Sequence, residues 1–148
     1  ETALSHVAGY ACYNDGSIRD WQRHTSQFAP GKNFVGTGAF GPWMVTADEM
    51  PDISKQTIAT RLNGVEVQAA PISDLVFDVP ALIAYCSTFT ELVPDDVIVT
   101  GTTGGVGAYR TPPLWMKEGD VVEVEVSGIG VLRNPVKDEV AAAATRAA

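Results

Sequence analysis

Cysteine, histidine and positive charge are all scarce in this 148-residue sequence, and each scarcity excludes something. Cys12 and Cys86 belong to no CxxC or Cys/His cluster, so the usual zinc spacings are absent. Both sit among apolar neighbours and read as buried free thiols rather than as a disulfide. No stretch approaches the roughly 18 apolar residues of a membrane span, and the expectation is a chain without a signal peptide. Lys and Arg number 10 against 18 Asp and Glu, a formal net charge of -8. Such a surface repels a polyanion, which argues against nucleic acid and for a cytoplasmic surface without a membrane partner. The first residues, Glu1-Thr2-Ala3-Leu4, contain no initiator Met, and the expectation is a piece of something longer.

What is present suits one compact domain: 45% of residues are hydrophobic and 19% charged, a globular composition. Residues 7–13 read as a strand ending at Asn14-Asp15, and Asp15 or Ser17 as the cap of a short helix over 18–25. Residues 29–42 are rich in Gly and Pro and read as a long loop, followed by a short buried strand over 43–46. Asn63-Gly64 between two strand-like runs signals a hairpin, because both centres of a type I′ turn need positive φ. Val79, Leu82, Ile83 and Cys86 recur at helical spacing after Asp78, with Pro80 in the first turn. Residues 96–100 read as a strand entering the glycine-rich stretch 101–107. Val and Glu alternate over 121–126 with the period of a half-exposed strand, and a last strand follows over 131–134. From Val140 the tail is Ala-rich, either frayed helix or disorder. The fold class is α+β, with mostly antiparallel or mixed strands and few helices.

Taken in order, several stretches resemble the fumarylacetoacetate hydrolase family. They begin with Val7-Ala8-Gly9-Tyr10, Asn14-Asp15-Gly16-Ser17-Ile18-Arg19-Asp20-Trp21-Gln22 and Pro30-Gly31-Lys32-Asn33-Phe34. Gly41-Pro42-Trp43, Thr46-Ala47-Asp48-Glu49, Thr100-Gly101-Thr102 and Gly104-Gly105-Val106-Gly107 continue the match. It ends on Lys117-Glu118-Gly119-Asp120 and Gly128-Ile129-Gly130. The resemblance implies a mixed β-sandwich roll, with a catalytic domain over 1–138 and the tail at 139–148. It implies a Mg²⁺ (or Mn²⁺ or Ca²⁺) enzyme that hydrolyses a C–C bond in a 1,3-dicarbonyl or dioxo acid, such as an acylpyruvate. Relatives that decarboxylate, isomerise, hydrate or cleave ureidoglycolate are the alternative, as is a non-catalytic subunit of the same fold. A small dioxo acid is the expected substrate and a homodimer or higher homo-oligomer the expected assembly.

Residue by residue, the resemblance makes Asp15 a metal ligand, where a helix cap is the plain reading. Arg19 and Gln22 follow at four and seven residues, one face of a helix, and would bind the substrate; otherwise Arg19 pairs with Asp20. Lys32, on a loop where a lysine is usually only solvated, would stabilise an enolate or oxyanion. Gly101 and Thr102 would contact the substrate carboxylate, in what is otherwise a tight turn without a phosphate-loop lysine. Thr103 departs from the family, where proline is common. The family's Glu-x-Glu ligands and its general-base His with a Glu partner have no match here; His6 and His24 do not stand at that position.

Overall fold

Alternation along residues 121–126 organises the core. A computed structural model describes residues 2–139. In β5 (Val121–Val126) the valines Val122, Val124 and Val126 are buried, while Glu123 and Glu125 turn to the other face. There Arg61 meets Glu125 at 2.5 Å and Arg133 meets Glu123 at 3.3 Å, so opposite charges face each other across strands. β3 (Thr57–Leu62), β4 (Val65–Pro71) and β6 (Gly130–Pro135) complete a four-stranded sheet in the order β4-β3-β5-β6, antiparallel throughout.

A second antiparallel ribbon pairs β1 (Gly9–Asp15) with β2 (Gly38–Thr46) and packs on β5 and β6. Cys12, 1% exposed, enters the core with Met50, the three valines, Ile129 and Leu132. Its thiol donates to the Gly130 carbonyl at 3.6 Å, and burial raises its pKa. At the strand ends Asn14 Nδ2 donates to Asn134 Oδ1 at 3.1 Å. Asp15 thereby leaves the sandwich from a fixed edge.

The Asn63-Gly64 hairpin forms as its sequence requires, with φ of 52° and 79°. Asn63 does more than turn. Its Nδ2 donates to Asp120 Oδ1 at 2.9 Å, and its Oδ1 accepts from the Val121 amide at 2.8 Å. Asp120 Oδ2 accepts from the Lys117 amide at 2.9 Å. A buried aspartate therefore ties the hairpin to the entrance of β5, and the bond from Asn63, followed by that from Lys117, holds its carboxyl below the usual range. The expected helix forms as α2 (Val79–Cys86), with Asp78 accepting from the Ala81 amide at 2.8 Å and Pro80 in the first turn.

Several expectations need correction. The helix after Asp15 is one turn, α1 (Arg19–Gln22); its cap, Ile18, supplies no side-chain bond, and Asp15 closes β1 instead. The loop over 29–42 is shorter than expected: Gly38 onward pairs with β1, through a cis Gly41-Pro42 bond. That strand is not buried; Trp43 is 60% exposed. Residues 96–100 carry no ladder, and Cys86 is only half-buried. The expected α+β class with few short helices holds, its pairings antiparallel throughout among the described residues. Most of the Ala-rich tail, 140–148, lies outside the described residues. No helix among the described residues is long and apolar enough to cross a membrane.

A pH-dependent test follows from Asp120. Because its folded pKa is depressed, its contribution is present above the unfolded value, about 3.9, and is lost as pH falls through the folded value. Asp120→Asn places an NH₂ against a donor and should lower the melting temperature clearly at pH 7. That deficit should shrink as pH falls below about 4. Thermal melts by circular dichroism at the two pH values read the difference.

Candidate active site

Asp15 stands where β1 ends, paired in register with Gly38. The chain then turns through Gly16, whose amide donates to the Asn14 carbonyl at 2.9 Å, into α1. Lys32 arrives from a 3-10 turn over Ala29–Lys32 seated against α1. Glycine is required at 31: an added Cβ would lie 2.5 Å from Gln22 Cβ and 2.6 Å from its Cα and N. The Gly31 carbonyl accepts from the Ile18 amide at 2.9 Å, so the turn is clipped to the start of α1. Held there, Lys32 Nζ donates to Asp15 Oδ2 at 2.5 Å and to Ser17 Oγ at 2.7 Å.

Helical spacing from Asp15 does not operate, since Asp15 is in a strand; α1 instead brings Arg19 and Gln22 together. Arg19 Nη1 donates to Gln22 Oε1 at 2.5 Å, and Gln22 is 7% exposed. This bond, rather than an ion pair with Asp20, holds the guanidinium. Its Nε is buried without a partner among the described residues. Tyr109, itself 72% exposed, lies 5.7 Å from the Arg19 Cζ and 5.8 Å from the Arg23 Cζ, measured to the ring centroid. Two guanidiniums thus share one aromatic ring.

The glycine-rich stretch is anchored by an irregularity in β4. Thr60 pairs with Gln68 but Arg61 pairs with Glu66, which leaves Val67 as a bulge. Its carbonyl accepts from Arg110 Nη2, while Arg110 Nε donates to the Gly105 carbonyl at 2.9 Å. Next along β4, Gln68 Nε2 donates to Thr102 Oγ1 and to the Thr103 carbonyl, both at 2.9 Å. Gly101 supplies the sharp approach with φ of 120°, a conformation that glycine adopts readily.

Asp15, Arg19, Gln22, Lys32, Gly101 and Thr102 all line one open cleft of about 2250 Å³. That exceeds the roughly 300–1,000 Å³ of ordinary small-molecule pockets. His6 also lines it, whereas His24 packs tilted against Trp21, ring centroids 4.8 Å apart. Among the described residues no three His, Cys, Asp or Glu side chains converge. Asp15 fits as one hard oxygen ligand of a divalent ion such as Mg²⁺, which takes one or two carboxylates and keeps several waters. Alone it does not make a complete site. Ser17, Gln68 and Tyr109 carry no signal as site residues in the sequence; each is identified by what it touches across the fold.

The family described as "Fumarylacetoacetate (FAA) hydrolase C-terminal" matches residues 1–137. The chain is 43% identical over 138 residues to "Oxaloacetate tautomerase fahd2, mitochondrial" of Xenopus laevis, covering 92% of this chain but 43% of that protein. It resembles the solved fumarylacetoacetate hydrolase (EaFAH) of Exiguobacterium antarcticum at 39% identity and a TM-score of 0.89, covering 93% of this chain and 50% of that one. Fumarylpyruvate hydrolase of Pseudomonas aeruginosa, solved with Mn²⁺ and pyruvate, matches at 29% identity and a TM-score of 0.82. That match covers 93% of this chain and 57% of the solved one. The chain spans about half the length of these relatives.

Gly31→Ala tests the seating of Lys32. The new methyl group meets backbone atoms that cannot swing aside, so the cost should be about 1–3 kcal/mol. Chemical denaturation reads that loss. An unchanged midpoint would show that the turn is not held as described.

Proposed function

The chain belongs to the fumarylacetoacetate hydrolase family, and on that footing we propose that it carries the substrate-binding face of a divalent-metal enzyme that stabilises the enolate of a 2-oxo acid. One observation carries this reading: Lys32 pairs with Asp15, and both line the same open cleft as the Arg19 guanidinium that Gln22 holds. A 2-oxo acid presents a carboxylate and an oxygen that becomes negative on enolisation. Arg19 matches the carboxylate, and Gln22 fixes the guanidinium by taking one of its hydrogens. Lys32 supplies positive charge where the enolate oxygen develops, so its effect grows toward the transition state. Mg²⁺ or Mn²⁺, held in part by Asp15, would supply Lewis-acid polarisation of the substrate oxygens when bound.

Keto–enol interconversion of a 2-oxo dicarboxylate is the first reading, supported by the tautomerase relative from Xenopus laevis. Hydrolysis of a C–C bond in a dioxo acid is the second, supported by the fumarylpyruvate hydrolase of Pseudomonas aeruginosa. Both pass through the same kind of anion. In the first a proton leaves the carbon beside the oxo group and returns to oxygen. In the second water adds to the distal carbonyl, and the C–C bond breaks to leave the 2-oxo-acid enolate. The two call on Arg19 and Lys32 alike and differ in whether an activated water is needed.

The cleft supports one more element of the proposal. A folded 15.7 kDa monomer exposes roughly 7,300 Å², and this chain exposes 10577 Å². Val97 and Val99 stand open on a segment without a ladder partner. Further polypeptide over this cleft would cover them and bring the remaining acidic metal ligands. Self-association through the same half would cover part of the excess, and sedimentation at micromolar concentration should find a dimer or larger species.

In the complete natural polypeptide, Asp15→Ala should abolish Mn²⁺-dependent turnover and weaken Mn²⁺ binding by calorimetry, with its circular dichroism unchanged. Ultraviolet loss of the oxaloacetate enol against loss of an acylpyruvate chromophore decides between the two readings. The 148-residue chain alone should bind Mn²⁺ weakly and turn over neither. Near-normal turnover by Asp15→Ala would reject the site.

A further inference from the structure

The orientation of one side-chain amide determines what the cleft can offer a ligand at Thr102. Gln68 Nε2 lies 2.9 Å from the Thr103 carbonyl oxygen and 2.9 Å from Thr102 Oγ1. A backbone carbonyl only accepts, so this end of the amide is its NH₂. The same NH₂ faces the threonine hydroxyl, whose oxygen must therefore accept. A hydroxyl that accepts there still has its own hydrogen to give, and Thr102 has no acceptor for it among the described residues. Gln68 and Thr102 both line the cleft that holds Asp15, Lys32 and Arg19.

We propose that Gln68 is a positioning residue: it sets Thr102 as a hydrogen-bond donor into the cleft, selecting an acceptor-only oxygen of a 2-oxo acid. The identity of that ligand rests on the reading of the preceding subsection; the polarity of the hydroxyl does not. The β4 bulge is what makes the arrangement possible. It releases the Val67 carbonyl from the ladder, Arg110 ties that carbonyl to the Gly105 carbonyl, and the glycine-rich stretch is drawn down onto Gln68. A serine at 102 would serve as well as threonine. A side chain at 68 without a donor would leave the hydroxyl free to rotate, so that its hydrogen is no longer held toward the cleft.

The test is a double-mutant cycle on the complete natural polypeptide with Mn²⁺, reading pyruvate affinity by calorimetry. Gln68→Met and Thr102→Val should each weaken pyruvate about ten- to a hundred-fold, as loss of a bond to a charged group does. The combined variant should be no weaker than Thr102→Val alone, because on this proposal Gln68 reaches the ligand through that hydroxyl and its bond to the Thr103 carbonyl does not bear on affinity. Thr102→Ser should bind as the wild type does. Gln68→Glu, of equal size, should lose at least as much as Gln68→Met, since a carboxylate accepts the hydrogen that the ligand needs. It also keeps the test open should Gln68→Met fail to melt cooperatively. Multiplying losses in the combined variant, or wild-type affinity in either Gln68 variant, would overturn the proposal while leaving the oxo-acid reading intact. A wild-type protein that binds no pyruvate would overturn that reading, and the ligand assigned here with it.

Discussion

Lys32 and Asp15 lie 17 residues apart, and the bond between them depends on Gly31, the residue just before the lysine. With no side chain at 31, the 3-10 turn lies directly on Gln22, which buries the glutamine and leaves its Oε1 to Arg19. One packing constraint therefore places three functional groups. The ion pair itself contributes little to stability, because both partners are partly exposed and such pairs are worth about 0–1 kcal/mol. Stability comes from the sandwich behind it, where Cys12 and the valines of β5 exclude water. The fold holds the pair in place, and the pair holds charge at the mouth of the cleft.

Wherever a local rule decided the outcome, the sequence was legible. Asn63-Gly64, the Val/Glu alternation of β5 and the Asp78 cap of α2 each depend on residues a few positions apart, and each forms as expected. Gly41-Pro42 is the opposite case. Glycine and proline there read as loop, yet cross-strand pairing from Gly38 to Thr46 overrides them, and no nearby residue announces it. Residues 96–100 have the composition of a strand but lack a neighbour, since a strand requires a partner as well as a propensity.

The candidate site divides along the same line. Asp15, Arg19, Gln22, Lys32, Gly101 and Thr102 carry a resemblance in sequence order, and the fold brings them to one cleft. Gln68 and Tyr109 stand in ordinary surroundings in the sequence. Their roles exist only across separations of 34 residues for Gln68 and Thr102 and 86 for Arg23 and Tyr109. Ser17 reads as a helix cap, whereas its hydroxyl accepts from Lys32. A cap is a local inference, and Lys32 reaches Ser17 only after the loop has folded back.

Charge supplies the last constraint. A chain with a net charge of -8 must still admit an anion if the oxo-acid reading holds. Screening weakens the distant carboxylates, since at physiological salt the Debye length is about 8 Å, but Asp20, Glu91, Asp95, Asp96, Asp138 and Glu139 line the cleft itself. An anion is therefore favoured only beside the ammonium of Lys32 and the guanidinium of Arg19, with Arg23 brought close through the Tyr109 ring. Asp15 is the one site residue that works against an anion, and it already faces Lys32. On the proposed reading, an oxo acid entering this cleft would meet donors on Arg19 and Lys32, and on Thr102 if Gln68 turns that hydroxyl outward. On that reading the negative surface would limit which anions approach, favouring small ones that pass between exposed carboxylates over polyanions that cannot avoid them.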